Sequence, residues 1–252
     1  MVWHFVPTPL QWHTDLCLFI SLPTKAIKTM KQSKRVLIVG GATPIGMNLA
    51  SALLDEGAEV CLMVREGTQA RLGSLAQHTR VIVADLWDSA SLRGRARGYE
   101  VVIHCIGSLR ADPSQGLSYQ RLNTTSARNA VSMAIGDGAE HFIYLSSARA
   151  LWFSPAYLRA KREAETHIIR SGTSASIVRA PLLYVRGMPR HIFYRLMTLL
   201  GRVPLLNLLG FANVAPMPLD VLARAVARIA LAEAPKPLRY YSARDLRRLQ
   251  RG

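Results

Sequence analysis

The sequence predicts an α/β fold: a doubly wound parallel sheet with a small C-terminal cap region. From residue 35 onward, short apolar runs alternate with segments of helical spacing, and a glycine-rich turn follows the first run directly. Half of the 252 residues are hydrophobic, enough to build a sizeable core. Apolar runs without polar alternation are typical of strands buried on both faces. Helices between such strands imply right-handed crossovers.

The first strand and its turn lie within residues 35–46, Arg-Val-Leu-Ile-Val-Gly-Gly-Ala-Thr-Pro-Ile-Gly. Gly40 allows a turn, Gly46 allows close helix packing, and Pro44 suits a first helical turn. Thr43 stands where a further glycine would complete the usual spacing. A strand, a tight turn and a helix present backbone N–H groups to a pyrophosphate, although a plain connection can carry glycines too. The predicted cofactor-binding residues here are Gly40, Gly41, Thr43, Pro44, Ile45 and Gly46.

The second strand, residues 59–64, predicts which dinucleotide is bound. It is followed by Arg65, nineteen residues after Gly46, where this kind of fold places the residue that meets the adenosine ribose. An arginine at this point pairs with a 2′-phosphate, whereas an acidic residue favours NAD. Glu66 follows directly. The expectation is NADP(H) in preference to NAD(H).

The later elements follow the same alternation. Four further apolar strands are predicted, at 81–84, 101–105, 141–145 and 176–179. The intervening helices are predicted over 89–97, 119–136 and 155–170. The sheet is therefore expected to contain six strands.

Tyr157 and Lys161 are the clearest candidates for chemistry. They are four residues apart in a predicted helix, so both project from one face. A nearby ammonium stabilises a phenolate, which lowers the tyrosine pKa and suits it to proton transfer. Ser147 ends the preceding strand, where its hydroxyl can meet a substrate oxygen. An ordinary surface pair is the alternative, since Arg159 and Arg162 make this helix basic in any case.

These motifs, in this order, resemble the short-chain dehydrogenase/reductase superfamily, in its extended or atypical NAD(P)-binding Rossmann branch, from about Arg35 to Leu231. The resemblance implies that Tyr157 is the general acid/base and that Ser147 orients the substrate carbonyl. Lys161 would hold the nicotinamide ribose and lower the tyrosine pKa. The further cofactor contacts that the resemblance implies are Asp85 and Leu86 at the adenine, Ile106 and Gly107 after the fourth strand, Asn123 in the following helix, and Pro181 in the Arg179-Ala180-Pro181 segment at the nicotinamide.

At the level of the subgroup, the chain is similar to the nucleotide-binding accessory subunit of respiratory complex I and to quinone-biosynthesis-associated relatives. The resemblance implies an NADP(H)-binding oxidoreductase or epimerase acting on an apolar carbonyl or alcohol. Some members of that subgroup bind NADP without evident turnover. Thr43 and the short 148–156 loop therefore keep two alternatives open: a non-catalytic structural or assembly protein linked to respiratory or quinone systems, and an NADP-sensing regulator.

Composition and charge indicate how the chain is divided into domains and which partners are expected. Residues 1–29 are predicted to be a poorly structured N-terminal extension, 30–181 the Rossmann core, and 182–252 a small cap completing the same domain. The net charge is +16, with 18 basic and 5 acidic residues after residue 140. No nucleic-acid-binding motif accompanies this charge, so nucleic acid is not an expected partner. The three cysteines have no metal-ligand spacing, and no metal site is predicted.

Residues 191–211 carry apolar side chains at helical offsets, with His191, Arg195 and Arg202 on the opposite face. One interpretation is a lid helix over the substrate cleft. The other is an interfacial helix on an anionic membrane surface, consistent with a small lipophilic, quinone-like substrate. The expected location is the cytoplasm, with peripheral attachment to the inner face of a membrane under the second interpretation.

Overall fold

A computed structural model describes residues 33–109, 111, 112, 114, 116–150, 153–187, 214–233 and 237–251. Among these residues, nine strands are seen: β1 Arg35–Val39, β2 Glu59–Val64, β3 Arg80–Val83, β4 Val101–His104, β5 His141–Ser147, β6 Ala175–Ala180, β7 Leu183–Tyr184, β8 Met217–Pro218 and β9 Leu238–Tyr241. The α-helices of the described part are α1 Pro44–Asp55, α2 Leu75–His78, α3 Ser126–Gly136, α4 Pro155–Arg170, α5 Leu219–Leu231 and α6 Ala243–Leu249. A π-helical turn, Gln120–Thr125, leads into α3.

The central sheet confirms the predicted fold class. Seven of the described strands are parallel, in the order β3-β2-β1-β4-β5-β6-β9, and β7 and β8 form a separate parallel pair. From β1 the chain adds β2 and β3 on one side of the sheet, and from β4 it adds the later strands on the other side. The connections after β1 and β4 therefore run in opposite directions, which leaves a crevice at the carboxyl ends of these two strands. Ligands in such folds bind at this edge.

The core lies in two layers, one on each face of the sheet. Within β1, Val36 and Ile38 face the layer that includes α1 and α5, while Leu37 and Val39 face the layer that includes α3 and α4. All four side chains are fully buried. Alternate residues therefore pack against different helices, which explains why the strands are apolar throughout.

Two predicted elements are wrong. The helix predicted over 89–97 is a series of turns: Gly94 has a φ of +75°, and the Asp137 carboxylate accepts from the N–H groups of Gly94 and Ala96 at 2.9 and 2.8 Å. A side chain thus satisfies donors that would otherwise bond within a helix. The sheet also has a seventh strand, β9, whose mostly exposed residues lack the apolar signature of the other strands.

Two predictions concern residues outside the described part: the extension at 1–29 and the helix at 191–211. The division into a core over 30–181 and a cap over 182–252 stays a prediction. Within the described residues, no helix is both long enough and apolar enough to cross a bilayer. The same residues contain no cluster of side chains suited to holding a metal ion.

Candidate functional site

The glycine turn after β1 is tightly packed. Gly40 has a φ of +99°, and the N–H groups of Gly40 and Gly41 both donate to the Met63 carbonyl, at 3.1 and 3.0 Å. A Cβ at Gly41 would lie 2.6 Å from Leu62 Cβ, and one at Gly46 would lie 2.4 Å from the Gly40 carbonyl oxygen. These glycines therefore allow the turn to sit against β2 and α1 to start close to it.

Thr43 caps the N-terminus of α1. Its Oγ1 accepts from the Gly46 N–H at 3.0 Å and donates to the Gly40 carbonyl at 2.8 Å, so the hydroxyl is turned back into the turn. The Ala42 and Ile45 N–H groups have no acceptor within the described part of the chain. Both lie at the positive end of the α1 dipole, an arrangement that suits a phosphate.

A cavity of about 550 Å³ opens where β1, β4, β5 and β6 end. Nine of the predicted site residues line it: Thr43, Pro44, Ile45, Ile106, Gly107, Ser147, Tyr157, Lys161 and Pro181. Its remaining walls are mainly apolar and include Leu109, Phe153, Leu182, Leu183, Val185, Leu219 and Leu222. The cavity therefore combines a few convergent polar groups with an apolar enclosure, as small-molecule sites do.

Tyr157 is buried in this cavity, with its ring 5.6 Å from that of Phe153 and 6.1 Å from that of Tyr119, measured between centroids. Burial raises the pKa of the phenol above its ordinary value, and the Ser147 hydroxyl opposes that rise. The sequence predicted a lowered tyrosine pKa, and this direction was wrong. Tyr157 is consequently protonated at neutral pH and holds a proton that it can donate.

The surroundings of Lys161 explain why it does not lower the Tyr157 pKa as the sequence predicted. Its Nζ donates to the Leu145 carbonyl at 2.8 Å and to the Ile106 carbonyl at 3.5 Å, and it lies 4.9 Å from the centre of the Tyr144 ring. The side chain is 3% exposed, and burial lowers its pKa to about 7. An amine bonded to backbone and partly deprotonated at neutral pH stabilises the Tyr157 phenolate little.

Gly107 and Asn123 adjoin this amine. A Cβ on Gly107 would lie 2.7 Å from Asn123 Oδ1 and 2.8 Å from Lys161 Nζ, so only glycine leaves the space between them open. The Asn123 amide donates to Tyr119 and Ser108 carbonyls, but its buried Oδ1 has no hydrogen-bond partner among the described residues. An unmet buried acceptor, the open space at Gly107 and the free N–H groups at α1 fit a nicotinamide dinucleotide.

Of the seven predicted site residues that do not line the cavity, three follow the ends of β2 and β3. Arg65 and Asp85 are exposed, and Asp85 Oδ1 accepts from the Trp87 N–H at 2.9 Å. Leu86 is buried in the core, where its carbonyl accepts from the Asn129 amide at 2.8 Å. The carboxyl ends of β2 and β3 lie beside that of β1, along the same edge of the sheet.

Sequence reasoning missed Glu165, which is 3% exposed. Its carboxylate accepts from Ser146 Oγ, from Arg162 Nη1, and from Arg179 Nη2 at 2.6 Å. A buried carboxylate is stable only when paired in this way. The available signal was its position four residues after Lys161, on the same helical face.

This pairing extends to the candidate catalytic residues. Arg162 Nη2 donates to the Ser147 carbonyl at 2.6 Å, so the guanidinium joins Glu165 to the backbone at the end of β5. Arg179 belongs to the segment that was predicted to adjoin the nicotinamide. Its guanidinium instead pairs with Glu165 and lies over the Tyr240 ring. The network thereby ties α4, β5 and β6 together directly behind Ser147.

Comparison with known proteins agrees with this geometry. A sequence model of an NAD(P)H-binding family matches residues 40–194, more than half of the chain. Over 157 residues, 62% of this chain, the sequence is 32% identical to a ceramide reductase of Caulobacter vibrioides. Over 144 residues, 54% of this chain, it is 24% identical to the phenylcoumaran benzylic ether reductase PT1 of Pinus taeda. The matched regions span about half of each relative, 48% and 47% of their lengths.

Solved structures show the same fold. The Bordetella bronchiseptica enzyme WbmG, determined in complex with NAD, has a TM-score of 0.61 at 19% identity, over 86% of this chain and 74% of that one. WbmH from the same organism, in complex with NAD+, has a TM-score of 0.58 at 19% identity, over 83% and 75%. The chain therefore belongs to the NAD(P)H-binding family and has the Rossmann-type fold of atypical short-chain dehydrogenase/reductases.

Proposed function

We propose that this chain is a nicotinamide-dinucleotide-dependent oxidoreductase, or an epimerase using the same hydride chemistry, that acts on an apolar carbonyl or alcohol. The observation that carries the proposal is the shared cavity. Ser147, Tyr157 and Lys161 meet there beneath apolar walls, beside the N-terminus of α1. This is the arrangement that proton transfer to a carbonyl oxygen requires, next to a site suited to phosphates.

In the proposed mechanism, the Ser147 hydroxyl orients the substrate oxygen and Tyr157 Oη donates a proton to it as the carbonyl is reduced. When bound, the nicotinamide supplies the hydride that reaches the carbonyl carbon; alcohol oxidation runs the same transfers in reverse. The raised pKa of Tyr157 keeps the proton in place until negative charge develops on the substrate oxygen. Lys161, Asn123 and Pro181 would hold the nicotinamide ribose side of the cofactor.

The substrate class follows from the walls of the cavity. Leu109, Leu182, Leu219 and Leu222 offer few polar partners, so an apolar substrate gains more from burial than a sugar nucleotide would. One relative is a ceramide reductase by name, and the other a reductase of a benzylic ether. Both names support a lipophilic substrate for this chain.

The decisive experiment measures turnover and nucleotide binding together. Tyr157→Phe should lower turnover of a hydrophobic ketone by about 10²–10⁴-fold while leaving nucleotide affinity unchanged, because only the transferable proton is removed. Tyr119→Phe is the matched control, since it keeps the ring that packs against Tyr157. Full turnover in the Tyr157 variant would leave the non-catalytic alternative in place.

For the cofactor, we propose NADP(H) over NAD(H), supported by the exposed guanidinium of Arg65 after β2. Arg65→Ala should weaken NADPH binding by roughly 1.5–3 kcal/mol and change NADH binding little, because one charge-assisted phosphate contact is lost. Calorimetric titration with both nucleotides measures this, with the exposed Arg93→Ala as control. Equal affinities of the parent protein for both nucleotides would refute the preference.

A non-catalytic NADP-binding role, as an assembly factor or a sensor, is the second candidate. One observation favours it: Thr43 Oγ1 occupies the Gly46 N–H, which removes a donor from the phosphate-binding turn. A turn with one fewer free donor would bind NADP more weakly, which suits a protein that reports on NADP rather than turning it over. The Tyr157→Phe variant separates the two candidates, because it should leave such a role intact.

Membrane attachment through 191–211 stays a prediction from the sequence, outside the described residues. We propose that a lipophilic substrate would be taken from an anionic bilayer surface. Flotation with anionic vesicles, comparing the parent chain with Leu199→Asp, measures it. Unchanged flotation of the variant would argue for a lid helix instead.

A further inference from the structure

A second concave surface lies on the opposite side of α4 from the dinucleotide cavity. It is a groove of about 850 Å³, formed by the outer face of α4, the start of α3 and the segment after β5. The residues that line it are Thr124, Arg128, Arg149, Pro155, Leu158, Arg159, Arg162, Glu163, Thr166, His167 and Arg170. None of these is among the residues that line the dinucleotide cavity. We call this surface the arginine groove.

The charge of the arginine groove is strongly unbalanced. It is lined by five arginines and one acidic residue, Glu163, whose carboxylate already accepts from the Gln120 amide at 2.8 Å. Arg162 is committed to Glu165 and the Ser147 carbonyl. The other four guanidinium groups are exposed and have no acceptor within the part of the chain that the structure describes: Arg128, Arg149, Arg159 and Arg170.

Their positions converge on one space. Arg159, Thr166 and Arg170 are seven and four residues apart on α4 and so form a stripe along one side of the helix. Arg128 comes from α3 and Arg149 from the segment after β5, so three separate elements direct positive charge at the groove. Bringing like charges together is unfavourable unless an anion relieves the repulsion.

We propose that the arginine groove is a binding site for a small ligand that carries several phosphate groups. Guanidinium groups bind phosphate oxygens in pairs, and a volume of about 850 Å³ is within the range of small-molecule sites. The groove therefore suits a compact polyanion better than a single phosphate or a neutral molecule. The same chemistry is offered by a free polyphosphate and by a phosphorylated lipid head group.

His167 provides a local reporter. Its imidazole lines the groove, and burial together with the neighbouring Arg128 holds its pKa below the ordinary value. A bound polyanion would stabilise the imidazolium and raise that pKa. The nearby groups that bear on it are the guanidinium groups of Arg128 and Arg170 and the carboxylate of Glu163. NMR titration of the imidazole, assigned with His167→Gln, therefore reads occupancy at the groove rather than elsewhere.

The test uses the full chain and inorganic tripolyphosphate, titrated by calorimetry at low salt. Binding should weaken at least about tenfold in the Arg159→Gln/Arg170→Gln double variant, since each lost charge-assisted contact costs close to that factor. The double variant Arg93→Gln/Arg248→Gln removes the same charge from exposed positions outside the groove and should bind like the parent. Tripolyphosphate should also raise the His167 pKa.

Vesicles identify the source of the phosphate. Flotation compares phosphatidylcholine vesicles with and without a phosphatidylinositol bisphosphate, whose head group carries several phosphates, for the parent and both double variants. Groove-dependent flotation would assign a lipid head group, and groove-dependent tripolyphosphate binding without flotation would assign a free ligand. The proposal is overturned if neither probe binds, if the two double variants lose binding equally, or if only a poly-glutamate peptide binds, which would indicate an acidic protein partner.

Discussion

The two faces of α4 carry similar charged side chains in opposite states. On the inner face, Lys161 and Glu165 are almost completely buried, and each is either bonded to backbone or paired with guanidinium groups. On the outer face, Arg159 and Arg170 are exposed and have no acceptor among the described residues. The charged groups on the inner face of α4 are therefore compensated by other groups of the protein, whereas those on its outer face are available to bind a ligand.

The difference follows from solvation. Water screens an exposed guanidinium, so leaving it unpaired costs little. A buried carboxylate loses that solvation and requires partners, and a buried amine tends to lose its proton instead. Glu165 shows the first response and Lys161 the second. Substitutions on the inner face should consequently affect stability far more than equivalent substitutions outside.

The largest effect is expected at Glu165. Glu165→Ala leaves Arg162 and Arg179 without their shared carboxylate and should lower the free energy of unfolding by roughly 2–4 kcal/mol, less than for a fully buried pair because both guanidinium groups are partly exposed. Denaturant unfolding measures this. Glu163→Ala, two residues earlier on the exposed face, is the matched control and should change stability by less than about 0.5 kcal/mol. Equal losses would abolish the distinction between the faces.

An intermediate effect is expected from the titration of Lys161. Its pKa is about 7 in the folded protein and near 10.5 when unfolded, so between these values only the unfolded chain holds the proton. Stability should therefore rise with pH inside this window, by roughly 1.4 kcal/mol for each pH unit. Lys161→Met should remove the rise between pH 7 and 9, whereas Lys34→Met should keep it. Above about pH 9 the buried Cys105 thiol, whose pKa is raised from 9.0 to about 12, opposes the rise, because there the folded protein holds that proton and the unfolded chain does not. A parent protein whose stability is flat from pH 7 to 9 would contradict this.

The smallest effect is expected on the outer face. Arg159→Gln/Arg170→Gln should change the free energy of unfolding by less than about 0.5 kcal/mol without ligand, because both side chains are exposed. Added tripolyphosphate should stabilise the parent but not this variant, because ligand binding to the folded state alone raises stability. A thermal shift series with and without tripolyphosphate checks both statements. A large loss without ligand would show that these arginines serve the fold.

Local patterns in the sequence were enough for the fold and for nine of the residues that line the cavity. Apolar runs such as Val36–Val39 identify buried strands because the hydrophobic pattern that marks such a strand is contained in a few neighbouring residues. The helix Pro155–Arg170 was predicted with its observed boundaries, from Pro at its start and its periodicity. Because the carboxyl ends of parallel strands share one edge, residues from distant segments could be expected in one site before any contact was known.

Only the tertiary structure decided how the charged groups behave. The pKa directions of Tyr157 and Lys161 depend on burial, which four-residue spacing does not contain. The pairing of Glu165 joins α4 to β6, and the arginine groove joins α4 to α3, so both arise from residues far apart in the chain. Strand β9 is likewise defined by its hydrogen bonds to β6 rather than by its own residues. The sequence by itself determined the fold and the edge where its site lies, because periodicity and glycine turns act locally; solvation and pairing are set by neighbours that only folding brings together.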